Sequence, residues 1–283
     1  MYACHHFLED KWSALMESRF RWVWGIVMEK MSAGMERMLT GTSSVRAPDG
    51  SEPFCLLFAS IEGGTELWAK NAAVMGAAIT KYHAMVRSII ALYDAYEVKV
   101  MGDSFMIACV NIVVGMKIAL AIQLESMRAV PIVPGFTMLE NPQGGGDPSC
   151  WRREGLRVRV AVQHCVDVVA SYDAIHQRYD YYGPSVNCCS SMLPVACGGE
   201  ILLSKESFSA LEAMPAYKGE PCPWDLRQLE VHSFHTDPRG MDEFISVSDV
   251  GPVELQGMPE PVHLLSITPK SLSGRRFRNV KVA

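Results

Sequence analysis

The chain has 283 residues, 49% of them hydrophobic and 20% charged, with a formal net charge of -5. That supports a sizeable core, in one large domain with extensions or in two small ones, and the weak acidity gives no sign of a nucleic-acid-binding surface. The nine cysteines, at 4, 55, 109, 150, 165, 188, 189, 197 and 222, are odd in number and form no C-x-x-C pair. This argues against a disulfide framework or a zinc site and predicts a reducing, intracellular, cytoplasmic setting.

The first predicted element covers residues 7–39, where Leu8, Trp12, Leu15, Met16, Phe20, Val23, Val27, Met31, Met35 and Met38 recur at helical steps. Such a helix either packs on its own domain or docks into a partner groove; Gly25 and Gly34 weaken it as one unbroken rod. Its most apolar run, Trp22 to Met28, is too short to span a bilayer, and Glu9, Asp10 and Lys11 interrupt any signal peptide. Residues 40–53 read as a linker.

The globular part follows. It begins with a strand at Cys55–Ser60, a helix at Thr65–Tyr93 and a hairpin of Tyr96–Val100 and Phe105–Val110, with Gly102-Asp103 at the tip. A second helix is predicted at Val113–Met127. Residues 130–151, containing Gly144-Gly-Gly146, read as a loop. Leu156–Gln163 alternates as a half-buried strand, Glu200–Leu203 is another, and residues 214–243 read as an insertion. Strands at Ile245–Val250 and Val253–Leu255 lead to a closing strand in Gly257–Leu265. The order β-α-β-β-α-β predicts an α+β, ferredoxin-like fold, with helices on one face of an antiparallel sheet. The organisation is a helical extension and linker (1–50), a catalytic-type domain (51–270) and a basic tail (271–283).

Four blocks carry a resemblance: Phe58–Trp68, Tyr96–Ala108, Gly155–Val162 with Tyr179–Asn187, and Val253–Leu265. Within them, Glu97-Val-Lys-Val-Met-Gly-Asp-Ser-Phe-Met, Tyr179-Asp-Tyr-Tyr-Gly and Gly257-Met-Pro-Glu-Pro-Val stand in order. The chain resembles a class III nucleotidyl cyclase catalytic domain, most like the receptor-type adenylyl cyclases of trypanosomatids, over roughly residues 52–268.

That resemblance implies attack of a ribose 3′-hydroxyl on the α-phosphate of a nucleotide, with two Mg²⁺ ions bridged by two aspartates. Asp103 matches the second aspartate, and Ser60 stands where the first belongs. Glu62 is usual at its place in the resembled group and is no obvious rescue. Lys99 and Asp180 match the adenine-reading pair. Asn187 matches the asparagine that meets transition-state charge, and Ser191 stands where an arginine belongs. A late phosphate-binding lysine falls near Met258. His5, His6, His164, His176, His232, His235 and His263 show no metal-ligand spacing, and Cys188-Cys189 read as small buried residues.

Sites in the resembled family form between two protomers. One supplies the metal aspartates, the other the base-reading pair, the asparagine and the arginine. Ser60 damages one half and Ser191 the other, so any dimer containing this chain has two incomplete sites. The expectation is therefore an inactive cyclase-like domain acting as an interaction module. Its expected partners are a second cyclase-like domain or a cytoskeletal protein, with the basic tail Arg275–Lys281 and the N-terminal helix as attachment elements. The resemblance makes a flagellum or cytoskeleton the implied setting. The alternatives are an active soluble adenylyl cyclase with unusual metal ligation and a nucleotide sensor. No cofactor is expected unless activity or binding survives, in which case Mg²⁺ and ATP are.

Overall fold

The computed structural model describes residues 47–128, 143–152, 155–218 and 241–277. The helix predicted at 7–39, most of the 214–243 insertion and the end of the basic tail lie outside the described residues.

Strand β1 (Phe54–Ile61) is buried along its whole length, as an unbroken run of apolar and small residues requires of a strand covered on both faces. It pairs antiparallel with β3 (Ser104–Cys109) on one side and with β5 (Val158–Cys165) on the other. β2 (Tyr96–Met101) pairs with β3. Across these four strands the order β2-β3-β1-β5 is the ferredoxin-like arrangement. β8 (Ile201–Ser204), β10 (Val262–Pro269) and β9 (Ile245–Val253) extend it to a seven-stranded sheet in that order. β5 and β8 run parallel, so the sheet is mixed, not antiparallel throughout. A parallel neighbour needs a long crossover. Here it carries the hairpin β6 (Val169–Asp173)–β7 (Arg178–Tyr182) and a helix at Pro184–Met192.

That crossover also corrects the expectation of helices on one face. Phe54, Leu56 and Phe58 share a buried cluster with Val186, Cys188, Cys189 and Met192 of the crossover helix. Alternate residues of a strand point to opposite faces, and Cys55 and Leu57 face the helix at Ile112–Arg128 instead. A side chain at its Gly115 would bring Cβ to 2.3 Å from Cys55 Sγ, so glycine is what lets that helix lie against β1.

The single helix predicted at Thr65–Tyr93 is two: α1 (Gly64–Lys70) and α2 (Ala72–Leu92). Asn71 between them is extended, and its side chain accepts the Val74 N–H at 3.1 Å. Asparagine satisfies an orphan helix donor better than it continues a helix. The next helices are α3 (Ile112–Arg128), α4 (Pro184–Met192) and α5 (Lys205–Glu212). Gly144–Gly146, read as loop, is strand β4, and it pairs with β11 (Arg275–Phe277), read as tail. The seven cysteines among the described residues are buried, and none of them is in a disulfide.

Candidate functional site

The end of β1 meets the tip of the β2–β3 hairpin because Ala59 is in register with Phe105, which sets Ser60 beside the Gly102–Ser104 turn. Gly102 takes a left-handed φ of 62° there. Ser60, 3% exposed, donates its hydroxyl to Asp103 Oδ2 at 3.1 Å, and the Ile61 N–H donates to the same oxygen at 2.9 Å. After β1 the chain turns at Gly63, with φ 63°, into α1. A Cβ at Gly64 would sit 3.0 Å from Asp103 Oδ2, so the missing side chain is what admits the carboxylate.

The donor set is one carboxylate, with its inner oxygen already accepting two hydrogen bonds, and one neutral hydroxyl. A pair of hard dications needs bridging anionic oxygen, and this set supplies a single negative charge. It does not fit two metal ions. Among the described residues no group of three or more His, Cys, Asp or Glu side chains is placed to hold a metal. Glu62 makes up no deficit: its Oε1 accepts the Gln143 N–H at 2.9 Å. Its buried Oε2 lies against Gly198, where a Cβ would come within 2.4 Å of it, and has no hydrogen-bond partner among the described residues.

Lys99 on β2 reaches Asp180 on β7, with Nζ 2.9 Å from Oδ1 and 2.7 Å from Oδ2. The Tyr181 N–H donates to Oδ1 at 2.9 Å and the Tyr182 hydroxyl to Oδ2 at 3.3 Å. Partial burial pushes the Asp180 carboxyl up. The Lys99 ammonium and the two tyrosine donors outweigh it and hold the carboxyl below its ordinary value.

Helix α4 begins after Gly183, whose φ of 142° and close approach to Asp167 O exclude a side chain. Asn187 is exposed on this helix. One turn later, Ser191 donates its hydroxyl to Gln256 O at 2.8 Å. Between them Cys188 and Cys189 are buried, and desolvation raises both thiols, Cys188 to about 11, so neither is a reactive thiolate. Met258 packs against the same core cluster.

The fold thus brings Ser60 to Asp103 and Lys99 to Asp180, and puts Asn187 and Ser191 on one helix. Arg159 was not singled out by sequence. It lies in register with Ser60 across β1 and β5, so the two side chains share a face of the sheet. Its Nε is buried without a hydrogen-bond partner among the described residues. The only signal was one arginine of the Leu-Arg-Val-Arg-Val alternation, which reads as an ordinary half-buried strand.

A mixed sheet with this strand order, and a carboxylate hairpin beside a glycine-rich strand end, define a nucleotidyl cyclase fold. Residues 47–223 match the adenylate and guanylate cyclase catalytic domain, and the chain belongs to that family. It is similar to a receptor-type adenylate cyclase of Trypanosoma congolense, 28% identical over an alignment of 249 residues that covers 82% of this chain and 30% of that protein. It is 30% identical over 253 residues to a receptor-type adenylate cyclase of Trypanosoma brucei brucei, covering 82% of this chain and 39% of that one. The chain therefore spans well under half of either relative. Among solved structures, a Trypanosoma brucei adenylate cyclase in its monomeric state superposes with a TM-score of 0.64 at 25% identity, over 85% of this chain and 99% of that one. The Pseudomonas aeruginosa adenylyl cyclase CyaB agrees in fold, with a TM-score of 0.53 at 17% identity over 81% of this chain and 96% of that one. No helix among the described residues is long and apolar enough to cross a membrane.

Proposed function

We propose that this chain is a cyclase-family domain that no longer cyclises ATP and is kept as an interaction module, pairing with a second cyclase-like domain. One observation carries the reading: the Ser60 hydroxyl and the Ile61 N–H together occupy Asp103 Oδ2. Where catalysis needs two negative bridges, the chain has one carboxylate held by neutral donors. Ser191 supports the same reading from the other half of a dimeric site. Its hydroxyl is committed to Gln256 O, and it brings no positive charge to a developing anion, a loss worth on the order of 10²–10³ in rate.

A flagellar or cytoskeletal setting remains part of the proposal by analogy with flagellate cyclases. The tail contributes less to it than its charge suggests, because Arg275 is buried within the domain. Manganese titration followed by electron paramagnetic resonance tests the metal half. The expected result is no saturable Mn²⁺ binding by the native chain and its appearance in Ser60→Asp; native binding abolished by Asp103→Ala would overturn the proposal.

A second reading, nucleotide binding without turnover, is motivated by Lys99 and Asp180 standing together and by the positive charge of Arg159 in register with Ser60. Calorimetric titration with ATP separates the two. Binding lost in Lys99→Ala supports a sensor, and absence of heat removes it.

A further inference from the structure

The hairpin β6–β7 is a two-stranded sheet of its own beside the edge strand β2. Among the described residues no backbone-to-backbone hydrogen bond joins β7 to β2. Side chains join them instead. The Lys99 ammonium of β2 meets both oxygens of Asp180 on β7. Arg178 on β7 donates its Nη1 to Glu97 O at 3.1 Å, with the Glu97 carboxylate 3.7 Å away. The Tyr179 N–H donates to the Tyr96 hydroxyl at 3.0 Å. Glu97 is itself fixed, because Arg87 of α2 donates to both its oxygens, at 2.9 and 3.1 Å.

The charges on the two strands run in opposite order. β2 carries Glu97 and then Lys99, and β7 carries Arg178 and then Asp180. A slip of two residues would set Glu97 against Asp180 or Lys99 against Arg178, like charge against like. The contacts therefore fix one position of the hairpin on β2. The two ends of the hairpin are held differently. Toward α4, Tyr181 is buried, packs against the Phe54 ring with centroids 5.0 Å apart, and donates its hydroxyl to Pro48 O at 2.7 Å. Toward the tip, Tyr172 and Ile175 are 55% and 87% exposed. The Asp173 carboxylate there accepts the Ile175 and His176 N–H groups, bonds that shape the tip without anchoring it.

Ion pairs in contact with water weaken as salt screens them, whereas burial of apolar surface does not. We propose that β6–β7 is an arm with a hydrophobic hinge at Tyr181 and an ionic latch at Glu97–Arg178 and Lys99–Asp180, so that its outer half swings clear of β2 when the latch is released. Opening parts Tyr96 from Tyr179, both of which pack partly buried on the core cluster, and frees Lys99 and Asp180 from each other. The fold thereby puts the exposure of an aromatic surface under the control of whatever binds these four charges.

Amide hydrogen exchange of the full chain, followed by NMR at one pH in about 0.05 M and about 1 M sodium chloride, tests the latch. The Tyr179 N–H reports it directly, since its acceptor lies on β2. That amide should exchange roughly tenfold faster in high salt, as the screening of two partly exposed pairs implies, while the Leu56 and Leu57 amides of β1 stay protected. Lys99→Met, which removes the charge and keeps most of the stem, should show the faster exchange already in low salt, and adding Arg178→Gln should remove the response to salt. An unchanged Tyr179 rate in the native chain, a salt response that survives both substitutions, or equal acceleration in β1, the sign of whole-domain unfolding, would each overturn the proposal.

Discussion

At the scale of single residues, the consequence of serine at position 60 is not only an absent charge. The hydroxyl is a donor, so it satisfies an oxygen of the one carboxylate at this strand end. A second aspartate there would repel Asp103 unless a cation lay between them. Serine here, which the proposed function takes as the loss of a metal bridge, thus also avoids a like-charge pair within a buried strand end. The identity of these residues was legible in the sequence, because each falls in a recognisable block. Their bonding was not, since it depends on the β1–β3 register that brings positions 43 residues apart together. Arg159 was missed for the same reason, as its relation to Ser60 exists only across β1 and β5.

The Lys99–Asp180 pair makes a prediction at this scale. A carboxyl held below its ordinary value of 3.8 stabilises the fold above that pH and yields the contribution as pH falls through the lowered value. Urea midpoints across an acid series should show the native chain losing stability below about pH 4, while Asp180→Asn follows a flatter curve. Parallel curves would mean that Lys99 gives Asp180 no net stabilisation.

At the scale of elements, the strands were largely legible and the helices less so. β1, β5 and β8 announce themselves as apolar or alternating runs. The break between α1 and α2 did not, because apolar residues keep helical spacing on both sides of Asn71 and hide a cap within an apparently continuous pattern. Asn71→Ala removes the acceptor for the Val74 N–H and should cost about 1 kcal/mol, read as a lowered urea midpoint with unchanged slope. A neutral outcome would make the cap irrelevant to the break. The β4–β11 pair was illegible for a different reason. Three glycines carry no periodic signal, and a basic stretch near the end of a chain reads as solvated, whereas Arg275 is buried against Gln123 and Gly199.

At the scale of the whole molecule, the ferredoxin-like centre follows from the order of predicted strands. The mixed sheet and the two helical faces do not. They depend on the crossover from β5 to β8, whose hairpin is short and exposed and whose helix α4 is rich in small residues. That crossover carries Asp180, Asn187 and Ser191, whereas β1 and the β2–β3 hairpin carry Ser60, Asp103 and Lys99. Ser60 and Ser191 therefore sit on different segments of the fold, although β1 and α4 share one buried cluster. In a two-protomer site they would fall in complementary halves, and no partner could complete both. Cyclic AMP production from ATP by the full chain, with Mg²⁺ and with Mn²⁺, measured beside Asp103→Ala, tests this most directly. The account predicts that the two proteins are indistinguishable with either metal. Production by the native chain that Asp103→Ala abolishes would contradict it.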